Sequence, residues 1–326
     1  MISCFGAKTR CLLGRGSNVN SLSSWRRSPE RLRLFLIRPR ARSMNTTHAE
    51  TGKTEPLLDL YPLDRAGRFR AAWVDLREGL RLLPLAMTLG WLDIKMRYRG
   101  SVLGPFWLTI TTAVMVAALG FLYAELFNMV IRDYLPFLAL SLVLWGYIST
   151  LITESTTVFS QESRLIQAAR MPFTVFAFQA ITRNALILLH NAVVVLAVFL
   201  IFGVTPRDIW LVIPALALWL VDSLAVMLCL GLLGARFRDI PPIATSLLQV
   251  FFFITPIIWR PELVGTLQRW ILLDPFYSLI AILRTPLLGE PSPFALWEVA
   301  CAHSAVLVTL AIAVFTRFRA RIAYWV

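Results

Sequence analysis

Six long stretches of this chain are almost free of charge, and that limits its fold more than any other feature. They are residues 100–124, 134–153, 184–206, 209–235, 240–259 and 299–316, interrupted only by Asp222. A helix needs about 20 apolar residues to cross a bilayer. The runs are therefore read as six transmembrane helices of an all-α integral membrane protein. Hydrophobic residues make up 57% of the chain and charged residues 16%. That balance argues against an ordinary soluble domain and against disorder.

An even number of crossings puts both termini on one side. The flanks 61–99, 154–183, 236–239 and 317–326 carry 16 Lys and Arg, against five on the other side. The positive-inside bias makes the termini cytoplasmic. The net charge of +13 is concentrated in the first 50 residues, with ten Lys and Arg against two acids. We read the basic excess as membrane orientation and expect no nucleic-acid partner.

Three segments outside the spans carry information. Residues 68–83 place Phe69, Ala72, Trp73, Leu76, Leu80 and Leu83 on one face, with Arg70, Asp75, Arg77, Glu78 and Arg81 mainly on the other. This spacing predicts an amphipathic helix on the inner membrane surface, broken or kinked at Pro84. Residues 161–172 form a cytoplasmic segment with a short helix over 163–169. It is either a plain loop or a docking element. Residues 260–293 hold two apolar pieces, 263–273 and 276–283, punctuated by Asp274-Pro275 and Thr285-Pro286. Each is about 15 Å as helix, too short to cross. An outer re-entrant or interfacial hairpin fits them.

The first 43 residues are Arg- and Ser-rich and lack a signal-type apolar core. Met44 opens a different composition. We expect 1–43 to be a mis-called extension, the alternatives being a targeting peptide or a basic tail. Residues 44–67 read as a flexible cytoplasmic lead-in. Peptides covering residues 17–27 in the purified protein would exclude translation from Met44.

Catalytic signatures are missing. There is no GxxxxGK[ST], GxSxG, HExxH or paired-carboxylate pattern. The four cysteines form no CxxC, and no histidine has ligand-spaced neighbours. His190 and His303 read as packed span histidines. No enzyme activity and no cofactor in this chain are expected. Asp222 lies near the middle of a span, as a structural acid or a pore-lining group. Glu154 and Arg183 stand at matching depth across a hairpin and are expected to pair. Phe251, Phe252, Phe253, Trp259, Phe276 and Tyr277 cluster towards the outer half. They are lipid-belt residues or stacking faces for sugar rings.

The run Asp93-Ile94-Lys95-Met96-Arg97-Tyr98-Arg99-Gly100-Ser101-Val102-Leu103-Gly104-Pro105-Phe106-Trp107 precedes the first span. It resembles the corresponding motif of type-2 ABC permeases that export polysaccharides. Arg236-Phe237-Arg238-Asp239-Ile240, Thr255-Pro256-Ile257-Ile258-Trp259 and Asp274-Pro275-Phe276-Tyr277 resemble further family motifs. So do Arg284-Thr285-Pro286-Leu287-Leu288-Gly289 and the stretch from Leu165-Ile166 to Pro172. The likeness covers about residues 68–326. Asp274 departs from the Asn that often precedes this Pro.

The resemblance implies a homodimer of six-span subunits in the bacterial inner membrane, with a pore at the interface. It implies a separate ATPase subunit holding ATP and Mg, and a lipid-linked glycan of O-antigen, capsule or teichoic acid type as cargo. Coupling to the ATPase falls on Arg97, Arg99, Ser101, Glu162, Arg164 and Arg170. Phe276 and Tyr277 shape the exit. Lys95, Arg97 and Arg99 either attract the carrier's pyrophosphate or anchor the inner flank. Competing readings are a type-2 permease for drugs or other lipids, a membrane glycosyl- or acyltransferase, and an assembly protein.

Overall fold

A computed structural model describes residues 64–326 except 102, 105 and 170, and leaves the side chains of 264 and 266–269 aside. Residues 1–63, with the expected extension and most of the lead-in, lie outside the described residues, as does Arg170. Among the described residues all regular structure is helical. The helices are α1 Arg65–Arg81, α2 Leu83–Arg97, α3 Phe106–Leu126, α4 Ile131–Ser155, α5 Val158–Gln161, α6 Ser163–Ala168 and α7 Phe173–Phe202. They continue as α8 Val212–Arg236, α9 Ile240–Ile254, α10 Gln268–Ile271, α11 Pro275–Leu288, α12 Phe294–Phe318 and α13 Ile322–Trp325.

Five helical stretches are long and apolar enough to cross a membrane: α3, α4, α7, Ile209–Arg236 and Phe294–Trp325. The run expected as a single helix over 240–259 is different. It holds α9, which stops at Ile254, and Thr255 is already extended with ψ 136°. Pro256 accounts for the stop, because a proline pushes the preceding residue out of the α region. Fifteen residues reach only about 22 Å. The first span also starts later than residue 100. Gly100 and Gly104 take φ of 87° and 54°, so the motif is a turned linker before Phe106.

Two other expectations change. Thr285-Pro286 does not end its helix; α11 continues to Leu288 and stops at Gly289, whose φ is 74°. The first apolar piece falls in 3₁₀ turns over Pro261–Leu267, broken at Gly265 with φ 53°, followed by the single turn α10. The break before α2 does fall at Leu82, with Pro84 in the first turn, where its missing N–H costs little.

The core is organised around α4, whose spanning window is 78% buried, against 11% for α3. It packs on α3, α7, α8, α9 and α11. Close approach relies on glycines, as membrane helix pairs often do. A Cβ on Gly234 of α8 would land on the Thr156 carbonyl oxygen, while Gly146 of α4 faces open space. Gly234→Ala is therefore expected to destabilise by roughly 1–3 kcal/mol through overpacking. Gly146→Ala is expected to be neutral or stabilising by under about 1 kcal/mol. Thermal unfolding of both variants in one detergent checks the contrast.

Candidate functional site

In its first half α7 is an apolar helix with a polar strip. Gln179, Arg183 and Asn184 share one face, at i, i+4 and i+5, and all three are buried. Buried polar groups require partners. Arg183 Nη1 lies 2.8 Å from Asp93 Oδ2 of α2, and Nη2 lies 2.9 Å from Glu154 Oε2 of α4. Its Nε donates to the same Glu154 oxygen at 3.2 Å, and Asn184 Nδ2 donates to it at 2.7 Å. One guanidinium thus joins three helices. Arg97 approaches the other Glu154 oxygen at 3.6 Å.

The network reaches the segment between α4 and α7. Gln179 Nε2 donates to Asp93 Oδ2 at 2.9 Å and to Glu162 Oε1 at 3.3 Å. Glu162 sits at the N-terminal boundary of α6. Its carboxyl is pushed above the ordinary glutamate value by burial, then by the neighbouring Asp93 charge; Arg183 and the Gln179 bond oppose this.

A second cluster lies where α1 meets the start of α7. Asp75 was placed by its spacing on the outer, polar face of α1, but it is fully buried. The buried stripe is Ala72, Asp75 and Gly79, while Phe69, Trp73 and Leu80 remain more than half exposed. The reason is electrostatic. Asp75 accepts from the Phe173 and Thr174 amides at 3.2 and 3.1 Å, capping α7 from another helix, and from Arg319 Nε at 2.7 Å. A carboxylate at a helix N-terminus with a cation beside it is doubly favoured. Gln167 of α6 donates to the Val326 carbonyl at 2.8 Å, so the last turn of the chain leans on the same segment.

The aromatic set divides. Phe251 and Phe276 meet edge-on with centroids 5.0 Å apart, and Trp145 of α4 joins Phe276 at 5.5 Å and Phe252 at 6.1 Å. Phe253 is 68% exposed. Trp259 is held by its indole N–H, which donates to the Phe253 carbonyl at 3.1 Å. A groove of about 390 Å³ runs between α4 and α9. Trp145, Ser149 and Thr153 form one wall; Gln249, Phe252 and Phe253 are on the other. The Ser149 and Thr153 hydroxyls bond back to Gly146 and Ser149 carbonyls at 3.1 and 2.8 Å. Gln249 is exposed.

Arg284 in α11 holds the hairpin to α4. It is 2% exposed, donates to Ser141 Oγ at 3.0 Å and to the Pro256 carbonyl at 2.8 Å, and lies 4.3 Å from the Phe137 ring centre. Its neighbour Tyr277 has its ring centre 6.0 Å from the guanidinium. Asp274 caps α11 by accepting from the Phe276 amide at 3.0 Å. Asp222 accepts from Ser304 Oγ at 2.7 Å and so ties α8 to α12, away from the groove. His190 bonds the Leu186 carbonyl at 2.7 Å and His303 meets Ser278 Oγ at 3.2 Å.

The remaining sequence candidates are less engaged. Lys95, Arg99 and Arg164 are exposed, with no ion pair among the described residues. Ser101 Oγ accepts from the Gly104 amide at 3.2 Å and braces the linker turn. Sequence reasoning singled out no role for Asp75, Asp93, Trp145, Gln179 or Arg284. The polar triplet on α7 was the available signal for Gln179. Nothing along α1 marks Asp75 as buried.

The chain matches the ABC-2 type transporter family over residues 84–288. It is 21% identical over 234 residues to the O-antigen export system permease protein RfbA of Klebsiella pneumoniae, covering 71% of this chain and 90% of that protein. It is 25% identical over 253 residues to the O-antigen export system permease protein RfbA of Myxococcus xanthus, covering 75% and 95%.

Arg183→Ala leaves Asp93 without its cation and Glu154 with only the half-exposed Arg97, and is expected to cost roughly 3–5 kcal/mol, read by thermal unfolding. Glu162→Gln is expected to act in the opposite direction at neutral pH. A raised carboxyl favours the folded state at low pH, and that benefit is lost as pH rises through the folded pKa. The variant should therefore be more stable than wild type at pH 7 and equal to it below about 4.5, the ordinary glutamate value.

Proposed function

The chain belongs to the ABC-2 type transporter family, and from that premise we propose that it is the membrane subunit of an ATP-driven polysaccharide exporter. Its cargo is a lipid-linked glycan of the O-antigen class, moved across the bacterial inner membrane. ATP is hydrolysed by a separate cytoplasmic subunit, which holds the nucleotide and Mg. Two copies of this chain form the working unit. The observation carrying this reading is the likeness, over 71% and 75% of the chain, to permeases named for O-antigen export.

The groove between α4 and α9 supports it physically. Polar side chains within a spanning segment tend to face a cavity or a partner. Gln249, Ser149 and Thr153 beside Trp145, Phe252 and Phe253 suit a sugar, whose hydroxyls need partners and whose C–H faces pack on rings. In this reading α9 and the turns after it make up the fifth of the six crossings. The termini are cytoplasmic, α1 lies at the inner surface, and residues 260–293 form the outer re-entrant hairpin.

Coupling then has a route. The ATPase docks on α6 and the flank containing Arg97, Arg99 and Ser101. Motion of α6 pulls Glu162, and Gln179 passes it to Asp93 and Arg183. Glu154 adjoins Thr153, so the same network ends on the groove wall. Lys95, Arg97 and Arg99 draw the carrier's pyrophosphate to the inner flank.

A drug- or lipid-exporting permease is the second reading. Many of those carry a large domain between the first two spans. Here only residues 127–130 separate α3 from α4, which favours the glycan reading.

Deleting the gene in its host and separating surface from intracellular glycans tests the proposal. Loss of a surface polymer with lipid-linked polymer accumulating inside is the expected result. An unchanged profile in a host with no second exporter would overturn it. In complementation, Gln179→Ala is expected to lower export at least tenfold while membrane abundance stays near wild type; full export would exclude the route through Gln179.

A further inference from the structure

A second space takes no part in the path. It is a groove of about 270 Å³ enclosed by α1, α8 and α12. Phe69 and Trp73 form one wall, Leu228 and Phe315 another, and Ala225 and Ala311 line the spans behind them. Its one hydroxyl, on Thr316, is already bonded to the Ile312 carbonyl at 2.7 Å. α1 packs on α2, α7 and α12, but towards α8 it leaves this gap.

Such a space is unstable if left empty, because its lining loses dispersion contacts. It has room for several waters at about 30 Å³ each, yet it offers them no hydrogen-bond partners. The bilayer supplies the one abundant solute that fits, a hydrocarbon chain. Charge narrows the choice. Arg70 and Arg77 stand at i−3 and i+4 from Trp73, on the same strip of α1. Both are exposed and neither forms an ion pair among the described residues. Arginines at a membrane surface attract anionic lipid.

We propose that this groove is a binding site for an anionic phospholipid of the inner leaflet, with one acyl chain in the groove and the headgroup at Arg70 and Arg77. The lipid fills the space between α1 and α8 and so holds α1 against the bundle. The inference rests on the reading of α1 as a helix at the inner membrane surface.

The full chain in phosphatidylcholine vesicles is exposed to phosphatidylglycerol bearing a photoactivatable group in its acyl chain. Cross-links concentrated in peptides 221–228 and 308–316, displaced by unlabelled phosphatidylglycerol before phosphatidylcholine, are expected. Arg70→Gln with Arg77→Gln should reduce that preference roughly thirtyfold. Ala311→Phe should lower labelling by filling the groove. Because it sits in the packed interior, the surface arginine pair carries the test if it fails to fold. Cross-links spread evenly over the lipid-facing helices would overturn the site. So would equal displacement by the two lipids, or a polyprenyl phosphate as the lipid that co-purifies. A spin label at Val74→Cys, with the native cysteines replaced, separates the two ideas. A label at headgroup depth without groove cross-links overturns only the lipid site; a label in bulk water overturns the surface reading of α1 as well.

Discussion

The architecture depends on a guanidinium that cannot be left unpaired. Arg183 is buried in the first half of α7, and its charge requires carboxylates within contact distance. α2 supplies Asp93 and α4 supplies Glu154. Because the three helices are far apart in sequence, this pairing fixes their relative height in a way that apolar packing does not. Leucine faces slide past one another at little cost, whereas an ion pair with directed hydrogen bonds to two carboxylates has one register. Asn184 and Gln179 use the lone pairs left over and extend the same register to Glu162.

The first half of α4 is held by a related device with a different balance. Among the described residues Arg284 has no carboxylate in contact; two oxygen acceptors and the face of Phe137 share its charge. Such a site has directional bonds but no strong counter-charge, so it positions α11 without the depth of an ion pair. The helix whose walls form the aromatic and polar groove is thus fixed at both ends. Movement in this region is expected between α4 and α9, since α9 is short and breaks off at Thr255.

Much of the fold was legible in the sequence because bilayer physics leaves a strong signature. Uncharged runs located three spans to within about a turn; the third span starts at Phe173 rather than 184, because the paired Arg183 lies inside its helix, and the first starts later than expected. Proline and glycine explain the misplaced limits: Pro256 ends α9 early, and Gly100 and Gly104 keep the linker from joining α3. The candidate site was harder to read. The Glu154–Arg183 contact could be reached because depth can be counted from a turn, and the structure brings the two together. Asp75 could not, since a residue's burial on α1 depends on the start of α7, about a hundred residues away. Trp145 and Gln179 were hidden for the opposite reason. An aromatic or amide inside an apolar run looks like ordinary span composition until a neighbour reveals what it faces.

The contrast between α3 and α4 bears on how the chain is assembled in the membrane. Only 11% of the residues in the spanning window of α3 are buried by the rest of the chain, and it carries no charge before Glu125. A helix of that kind is content in lipid alone, so it is free to leave the insertion machinery as soon as it is made. α4 follows it carrying Glu154, whose looser partner Arg97 is already made but whose close partner Arg183 is not. The second crossing therefore completes its strongest polar contact only once the third has been made.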